Sequence, residues 1–230
     1  MRSLSSLLFD FRSRQLRRNQ YDRHTVLARA IRRLVRSRAP TKYSTLWTDA
    51  IYGWGNEKWS AEELYLAEVV RTAEAATGSI LECGSGLTTL LVGAVASRRG
   101  TQVHSLEHTP EWHTRVSEAI REFGMTNVNV HLAPLREYES YDWYDAPLES
   151  LPNDFSYVVC DGPPASTRGG RSGVLPTMHG KLASACTVLL DDASRPGERE
   201  LVESWVRDFQ ASYEIKPSER GFARVVVHGA

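Results

Sequence analysis

Three sets of residues in this chain have the types and spacing to do chemistry: the Glu82-x-Gly84-x-Gly86 run, Glu107, and the aspartates Asp161, Asp191 and Asp192. The first lies in Ser79-Ile80-Leu81-Glu82-Cys83-Gly84-Ser85-Gly86-Leu87-Thr88-Thr89, where a short apolar run ends in an acid, two glycines and a helix-like segment. Glycines at 84 and 86 let the backbone turn tightly and approach a ligand, and the start of the following helix presents unpaired N–H groups. The segment reads as a strand handing its carboxyl end to a nucleotide. Glu82 narrows the choice. A carboxylate there can hold the glycine loop through its amides and face a cationic or amino-bearing ligand, whereas a pyrophosphate would be repelled. A dinucleotide-binding loop would also prefer glycine or alanine where Thr89 stands.

Gln102-Val103-His104-Ser105-Leu106-Glu107 is a second short strand ending in an acid, 23 residues beyond Gly84, the separation of one helix and a return strand. Glu107 is then placed to accept both ribose hydroxyls; a solvated strand-end acid is the plainer reading. Together these residues favour S-adenosylmethionine over NAD. From about Ser79 to its C-terminus the chain resembles the class I S-adenosylmethionine-dependent methyltransferases. The landmarks are Leu81-Glu82-Cys83-Gly84-Ser85-Gly86, Ser105-Leu106-Glu107-His108, Tyr157-Val158-Val159-Cys160-Asp161-Gly162-Pro163-Pro164 and Val188-Leu189-Leu190-Asp191-Asp192. The resemblance implies that Glu82, Gly84, Ser85, Gly86, Glu107 and His108 hold the cofactor. The acid that the family often places after the third strand is missing here, where Asn127-Val128-Asn129-Val130-His131 runs into Ala133-Pro134-Leu135. Adenine recognition then falls to backbone groups near Ala133 and to cover such as Trp112.

Methyl transfer from a sulfonium is an in-line displacement, so the protein must hold the acceptor near the methyl and take its proton. Asp161, followed by Gly162-Pro163-Pro164, is the first candidate; it could also merely cap that turn. Asp191 and Asp192, at the end of the next strand, would converge with Asp161 in a doubly wound sheet. Three clustered anions repel, and either a divalent cation such as Mg²⁺ or neighbouring arginines could relieve that. The layout resembles metal-dependent O-methyltransferases of catechols or sugars, with Asp161, Asp191 and Asp192 as the metal ligands. The lysine that catechol-type enzymes carry after the first acid is absent, since Pro163, Pro164 and Ala165 stand there. Arg168, Arg171 and Arg195 are the candidates for ion pairs instead. Without a metal, His179 and His108 are the general-base candidates, because imidazole titrates near neutrality. Aromatics at 138, 141, 143 and 144, and Tyr52, Trp54 and Trp59, suit either packing or stacking on an acceptor. The basic loop Ser166–Gly173 reads as a lid that could recognise an anionic group on the acceptor.

The elements that would position these residues alternate. Strands are expected at 79–83, 102–106, 127–131, 155–160 and 186–191, and helices at 87–98, 110–123, about 176–184 and 197–209. Such alternation means a parallel sheet covered on both faces. Runs at 212–216 and 221–227, joined by Pro217-Ser218-Glu219-Arg220, read as an edge hairpin. Ser60-Ala61-Glu62-Glu63 reads as a capping box, and 134–153 and 162–175 as long loops. The expected fold is therefore α/β: a doubly wound, Rossmann-like, mostly parallel sheet, seven-stranded by the resemblance, with a C-terminal antiparallel hairpin and an N-terminal helical extension.

The division expected is 1–40 for the extension and 41–230 for the cofactor-binding domain. Residues 1–40 hold eleven arginines against Asp10 and Asp22, about +9, which the rest of the neutral 230-residue chain offsets. They suit a peripheral membrane or oligomer contact, an organelle presequence at Met1–Phe9, or a solvated basic helix from about Asp22 to Ser37; no specific nucleic acid is expected. Cys83, Cys160 and Cys186 form no C-x-x-C, and no run approaches ~18 apolar residues. A reduced, cytoplasmic protein is expected. The function expected is methylation of a small-molecule hydroxyl, on a sugar or aryl compound. An NAD-dependent oxidoreductase and a non-catalytic binding protein on the same fold are the rivals.

Overall fold

The computed structural model describes residues 22–228. Helices α1 (Arg23–Arg36), α2 (Thr45–Trp54) and α3 (Glu63–Ala75) precede the first strand, β1 (Ile80–Cys83). Then follow α4 (Leu87–Ala96), β2 (Val103–Glu107), α5 (Pro110–Glu122), β3 (Val128–Leu132), β4 (Leu135–Glu137), β5 (Asp142–Tyr144) and β6 (Phe155–Cys160). The chain ends with α6 (Val174–Met178), β7 (Leu182–Leu190), α7 (Pro196–Asp208), β8 (Ala211–Lys216) and β9 (Phe222–Val227). The seven-stranded sheet runs β3-β2-β1-β6-β7-β9-β8, parallel except for β9, which is antiparallel to both β7 and β8. The doubly wound sheet and its C-terminal hairpin are as expected.

The apolar strands are continuous because both faces are covered, so successive side chains enter different cores. Ile80, Tyr157, Val159 and Leu189 join the helices α1–α4 on one face, while Leu81, Val158, Val188 and Leu190 pack with Trp143, Trp205 and α6 on the other. Strand order reverses between β1 and β6, and an open sheet binds its ligands at the carboxyl ends beside such a reversal. Register aligns those ends. Cys83 pairs with Leu106 and with Cys160, and Cys160 with Leu190. The next residues along, Gly84, Glu107, Asp161 and Asp191, therefore emerge side by side.

Four local expectations are corrected. Ser60 makes no capping box; its hydroxyl donates to the Asn56 carbonyl (2.9 Å), and α3 starts after Glu62 without a side-chain cap. Glu63 instead accepts from Thr48 Oγ1 at 2.8 Å. The expected helix at 176–184 ends at Met178, a single 3₁₀ turn carries the chain to Lys181, and Leu182 already belongs to β7. Inside the expected loop 134–153, β4 and β5 form a hairpin with Leu135 opposite Tyr144. Lastly, α1 is not solvated all round: Leu27, Ala30, Ile31 and Leu34 share one core with Leu46, Trp47 and Leu66. Position 40 therefore marks no break in the packing. Residues 1–21, including the Met1–Phe9 segment, lie outside the described residues. No helix among the described residues is long and apolar enough to cross a membrane.

Candidate active site

A cleft of about 750 Å³ opens over the carboxyl ends of β1, β2 and β6. The β1–α4 turn forms its floor. Gly84 has φ +90°, and a Cβ there would lie 2.9 Å from the Gly162 amide, so only glycine serves both the backbone angle and the contact between two strand ends. Gly86 differs. Its φ of 173° suits any residue, and the nearest atom to an added Cβ is Trp112 Nε1 at 4.0 Å, on the cleft side. Gly86→Ala is accordingly expected to leave stability within about 0.5 kcal/mol while weakening nucleoside binding at least about 10-fold through steric insertion. Thermal melting and calorimetric titration of the variant check both halves.

Glu82 does not face this cleft. It is fully buried beneath the turn, where Oε2 accepts from Thr89 Oγ1 (2.5 Å) and Ser105 Oγ (2.6 Å), and Thr89 Oγ1 in turn accepts from the Gly86 amide (2.8 Å). Glu82 thus holds the glycine loop, as expected, but through one intervening hydroxyl. Its position beneath the loop corrects the expectation of direct cofactor contact. Burial pushes its pKa up to about 7, against the lowering effect of the Ser105, Thr88 and Thr89 hydroxyls. A folded pKa raised from 4.5 gives a contribution fully present below the unfolded value and lost as pH rises through about 7. Glu82→Gln is expected to reduce the fall in unfolding free energy between about pH 5 and 8. Equal slopes in urea titrations of the two proteins would remove Glu82 as a source.

Glu107 lines the cleft and is tightly held. Its Oε2 accepts from the Ser85 amide (3.1 Å) and hydroxyl (2.8 Å), and Oε1 from the Thr109 amide (2.9 Å), with His108 Nδ1 at 3.2 Å. Burial raises its pKa, but the hydrogen bonds from His108, Thr109 and Ser85 outweigh that and leave it lowered. It is therefore an anion at neutral pH, as a diol acceptor must be. Trp112 Nε1 donates to the Ser85 carbonyl (2.5 Å), and Arg115 packs over both the Trp54 and Trp112 rings, 4.5 and 4.7 Å from their centroids. Trp112, expected as cover for the base, lines this cleft. Ala133 is not available: its side chain is fully buried, and its amide donates to the Glu107 carbonyl at 2.7 Å. That continuation of β3 pairing corrects its assignment to adenine.

At the other end of the cleft Asp161, Asp191 and Asp192 converge, with carboxylate oxygens within 4.8 Å of one another. A guanidinium already pairs with two of these carboxylates, Asp161 and Asp192. Arg171 is 4% exposed; Nη1 donates to the Asp191 carbonyl (2.6 Å), and Nη2 to the Asp161 carbonyl (2.8 Å), Asp161 Oδ1 (3.2 Å) and Asp192 Oδ2 (3.2 Å). Arg195 Nη1 reaches the same Asp192 oxygen at 3.0 Å. Burial, and then the neighbouring aspartates, push the Asp191 carboxyl well above its usual range. For Asp161, burial raises the pKa, Arg171 lowers it and Asp192 raises it, with a net rise. The Asp161 side chain keeps 28% of its surface exposed and lines the cleft. A divalent cation here would sit against the buried positive charge of Arg171. The donor set fits an ion pair better than a metal.

The remaining expectations divide. Arg168 is not in this cluster; it pairs with Asp142 (2.6 Å) and donates to the Tyr138, Glu139 and Tyr141 carbonyls, pinning the β4–β5 hairpin. His108 lines the cleft, edge-on to Tyr144, with ring centroids 6.0 Å apart. His179 does not, which corrects its assignment as a base: it precedes β7, at the end of the sheet opposite the cleft, and packs on Phe209 at 5.3 Å. Trp143 and Tyr144 are core residues. Sequence reasoning missed Lys58 and Arg220, both in the cleft wall, which Tyr144 also lines. Arg220 belongs to the hairpin turn, and the pairing of Ala223 with Leu190 brings that turn to the carboxyl end of β7.

No family model matches the chain, and no curated protein matches it in sequence. Solved structures do match. The SAH-bound methyltransferase PaMTH1 of Podospora anserina superposes with a TM-score of 0.63 at 16% identity, over 83% of this chain and 89% of that one. A putative caffeoyl-CoA O-methyltransferase from Staphylococcus aureus gives 0.57 at 11%, over 73% and 85%. The O-methyltransferase TomG of Streptomyces achromogenes, solved with SAM and involved in tomaymycin synthesis, gives 0.53 at 12%, over 78% and 86%. The likeness establishes the fold: the chain has the architecture of the class I S-adenosylmethionine-dependent methyltransferases.

Proposed function

We propose that this protein transfers a methyl group from S-adenosylmethionine to a hydroxyl of a small aryl or sugar acceptor, without a metal ion. The observation that carries this reading is the cleft itself, where an anionic Glu107, an unobstructed Gly86 and a partly exposed Asp161 share one surface. S-adenosylmethionine, when bound, supplies a methyl on a sulfonium to in-line attack by the acceptor oxygen. Glu107 would accept from the ribose diol, Ser85 and His108 would border it, and Trp112 would cover the base. Asp161 would take the acceptor's proton. Its raised pKa makes it a stronger base than an ordinary aspartate while leaving it ionised above that value. Arg171 holds the carboxylate in place from behind through Oδ1 and the main chain. Thr89, engaged by Glu82 and the Gly86 amide, occupies the position a dinucleotide fold reserves for a small residue, which disfavours the NAD reading.

Calorimetric titration with S-adenosylhomocysteine and with NADH, each with Mg²⁺ and with EDTA, tests the reading. S-adenosylhomocysteine is expected to bind with the same affinity in both buffers, and NADH not to bind. Binding of NADH alone would replace this proposal with the oxidoreductase one. A Mg²⁺ requirement in a later acceptor screen would reinstate the metal.

A further inference from the structure

The wall of the acceptor half of the cleft carries three cations that keep solvent-facing surface. Three separate segments each bring one cation to it: Lys58 from the α2–α3 connection, Arg195 from the start of α7 and Arg220 from the β8–β9 turn. Lys58 has no carboxylate within ion-pair distance among the described residues; its ammonium rests 5.3 Å from the centroid of the Trp59 ring. Arg220 donates to the Ser60 carbonyl at 2.8 Å, and its side chain approaches Glu62 only to 3.7 Å and Asp192 to 3.9 Å, beyond hydrogen-bond range. Arg195, with 46% of its side chain exposed, shares Asp192 with Arg171. Asp192 is thus shared by three guanidinium groups, with Glu198 3.7 Å from Arg195 and Glu62 3.7 Å from Arg220 as the other nearby acids.

The same wall exposes an aromatic face. Trp59 is 70% exposed, an unusual position for so large an apolar side chain, and Pro164 and Ala165 contribute apolar surface to the same cleft. The two cations that the sequence offered for anion recognition in the Ser166–Gly173 loop are both committed elsewhere, Arg168 to the β4–β5 hairpin and Arg171 to the buried aspartates.

Resting on the methyltransferase reading, we propose that the methyl acceptor carries an anionic group, a carboxylate or a phosphate, beside a flat apolar body, and that Lys58, Arg195 and Arg220 receive the anion while Trp59 covers the body. The charged group places the acceptor with its hydroxyl toward Asp161. Anion and ring together disfavour neutral sugars as acceptors, since a neutral ligand leaves Lys58 without a carboxylate among the described residues and gains nothing from Arg195 and Arg220, whose acids are shared with other cations.

The experiment uses the full chain saturated with S-adenosylhomocysteine and three probes: 3,4-dihydroxybenzoate, phenyl phosphate and the neutral 3,4-dihydroxybenzamide. Binding is followed by calorimetry and by quenching of tryptophan fluorescence. At least one anionic probe is expected to bind about 10-fold or more tightly than the amide, with an affinity that falls as salt is raised. Lys58→Ala combined with Arg220→Ala is expected to bring that probe to within about threefold of the amide, while S-adenosylhomocysteine still binds. Preference for the benzoate or for the phosphate identifies the anion, and either supports the proposal. Equal binding of charged and neutral probes, binding of none, or a preference that survives loss of the cations overturns it. Anionic probes that bind a protein unable to bind S-adenosylhomocysteine would leave the anion site standing and bring down the methyltransferase reading instead.

Discussion

Arg171→Ala is expected to lower the unfolding free energy by about 3–5 kcal/mol at pH 8, the cost of leaving buried charge without its partner. Among the described residues the guanidinium is the one group that touches the carboxylates of both Asp161 and Asp192 and the carbonyls of Asp161 and Asp191. Removing it leaves three acids within 4.8 Å of one another in a largely buried corner. The pH dependence has a definite sign. The pKa values of Asp161 and Asp191 are already raised in the folded state, and without Arg171 they rise further. The folded variant therefore holds protons that the unfolded chain releases, and its stability is greatest below the ordinary carboxylate range and falls as pH rises through the raised values. Urea unfolding at pH 5 and pH 8 is expected to show a smaller loss at pH 5.

The same variant has a second expected property. Three uncompensated carboxylates are a hard-cation site, so Mn²⁺ or Mg²⁺ should raise the melting temperature of Arg171→Ala and leave that of the wild type unchanged. The opposite pattern, an EDTA-reversible gain in the wild type alone, would mean that the ion pair yields to metal in the native protein. Arg171→Lys keeps the charge without the planar fork and is expected to fall between the two proteins in stability.

Glu107→Ala is expected to weaken S-adenosylhomocysteine binding by about 100- to 10,000-fold, since hydrogen bonds to a charged acceptor are each worth about 1.5–3 kcal/mol and a ribose offers two. Part of that loss comes from the protein side. Ser85, Thr109 and His108 all use this carboxylate, so the loop that meets the nucleoside loses its anchor as well. Glu107→Gln, which keeps one acceptor oxygen, is expected to lose less. Because the folded pKa of Glu107 is lowered, its contribution is complete above the ordinary carboxylate range and disappears only as pH falls through the lowered value. Binding is therefore expected to be flat from pH 8 to pH 5 on this account. Calorimetry that finds the alanine variant within threefold of wild type would dissociate Glu107 from the nucleoside.

Much of this protein is set by local rules. Apolar runs ending in Glu82, Glu107, Asp161 and Asp191 mark strands buried on both faces, and the alternation with helical segments fixes a parallel sheet. Gly84 and Gly86 mark a turn that must come close to another group, and the aspartates at the strand tips are recognisable from sequence alone. What local rules cannot provide is the neighbour. Glu82 and Glu107 look alike near the ends of adjacent strands and lie on the same side of the sheet, yet Glu82, level with Ser105, is sealed under Thr89 and Ser105, while Glu107, two residues further toward the carboxyl end, opens to the cleft. His179 lies away from the cleft because the helix expected over 176–184 already ends at Met178, which leaves His179 in the turn that enters β7. Arg168 and Arg171, three apart in one loop, have separate fates, one on the β4–β5 hairpin and one buried among the aspartates. Only long-range packing decides that the arginine of a distant hairpin turn, Arg220, ends beside Asp192, since β9 inserts next to β7 rather than following the chain order. Strand identity comes from side-chain period; strand order, and with it which charges meet, comes from how the whole sheet buries its two faces.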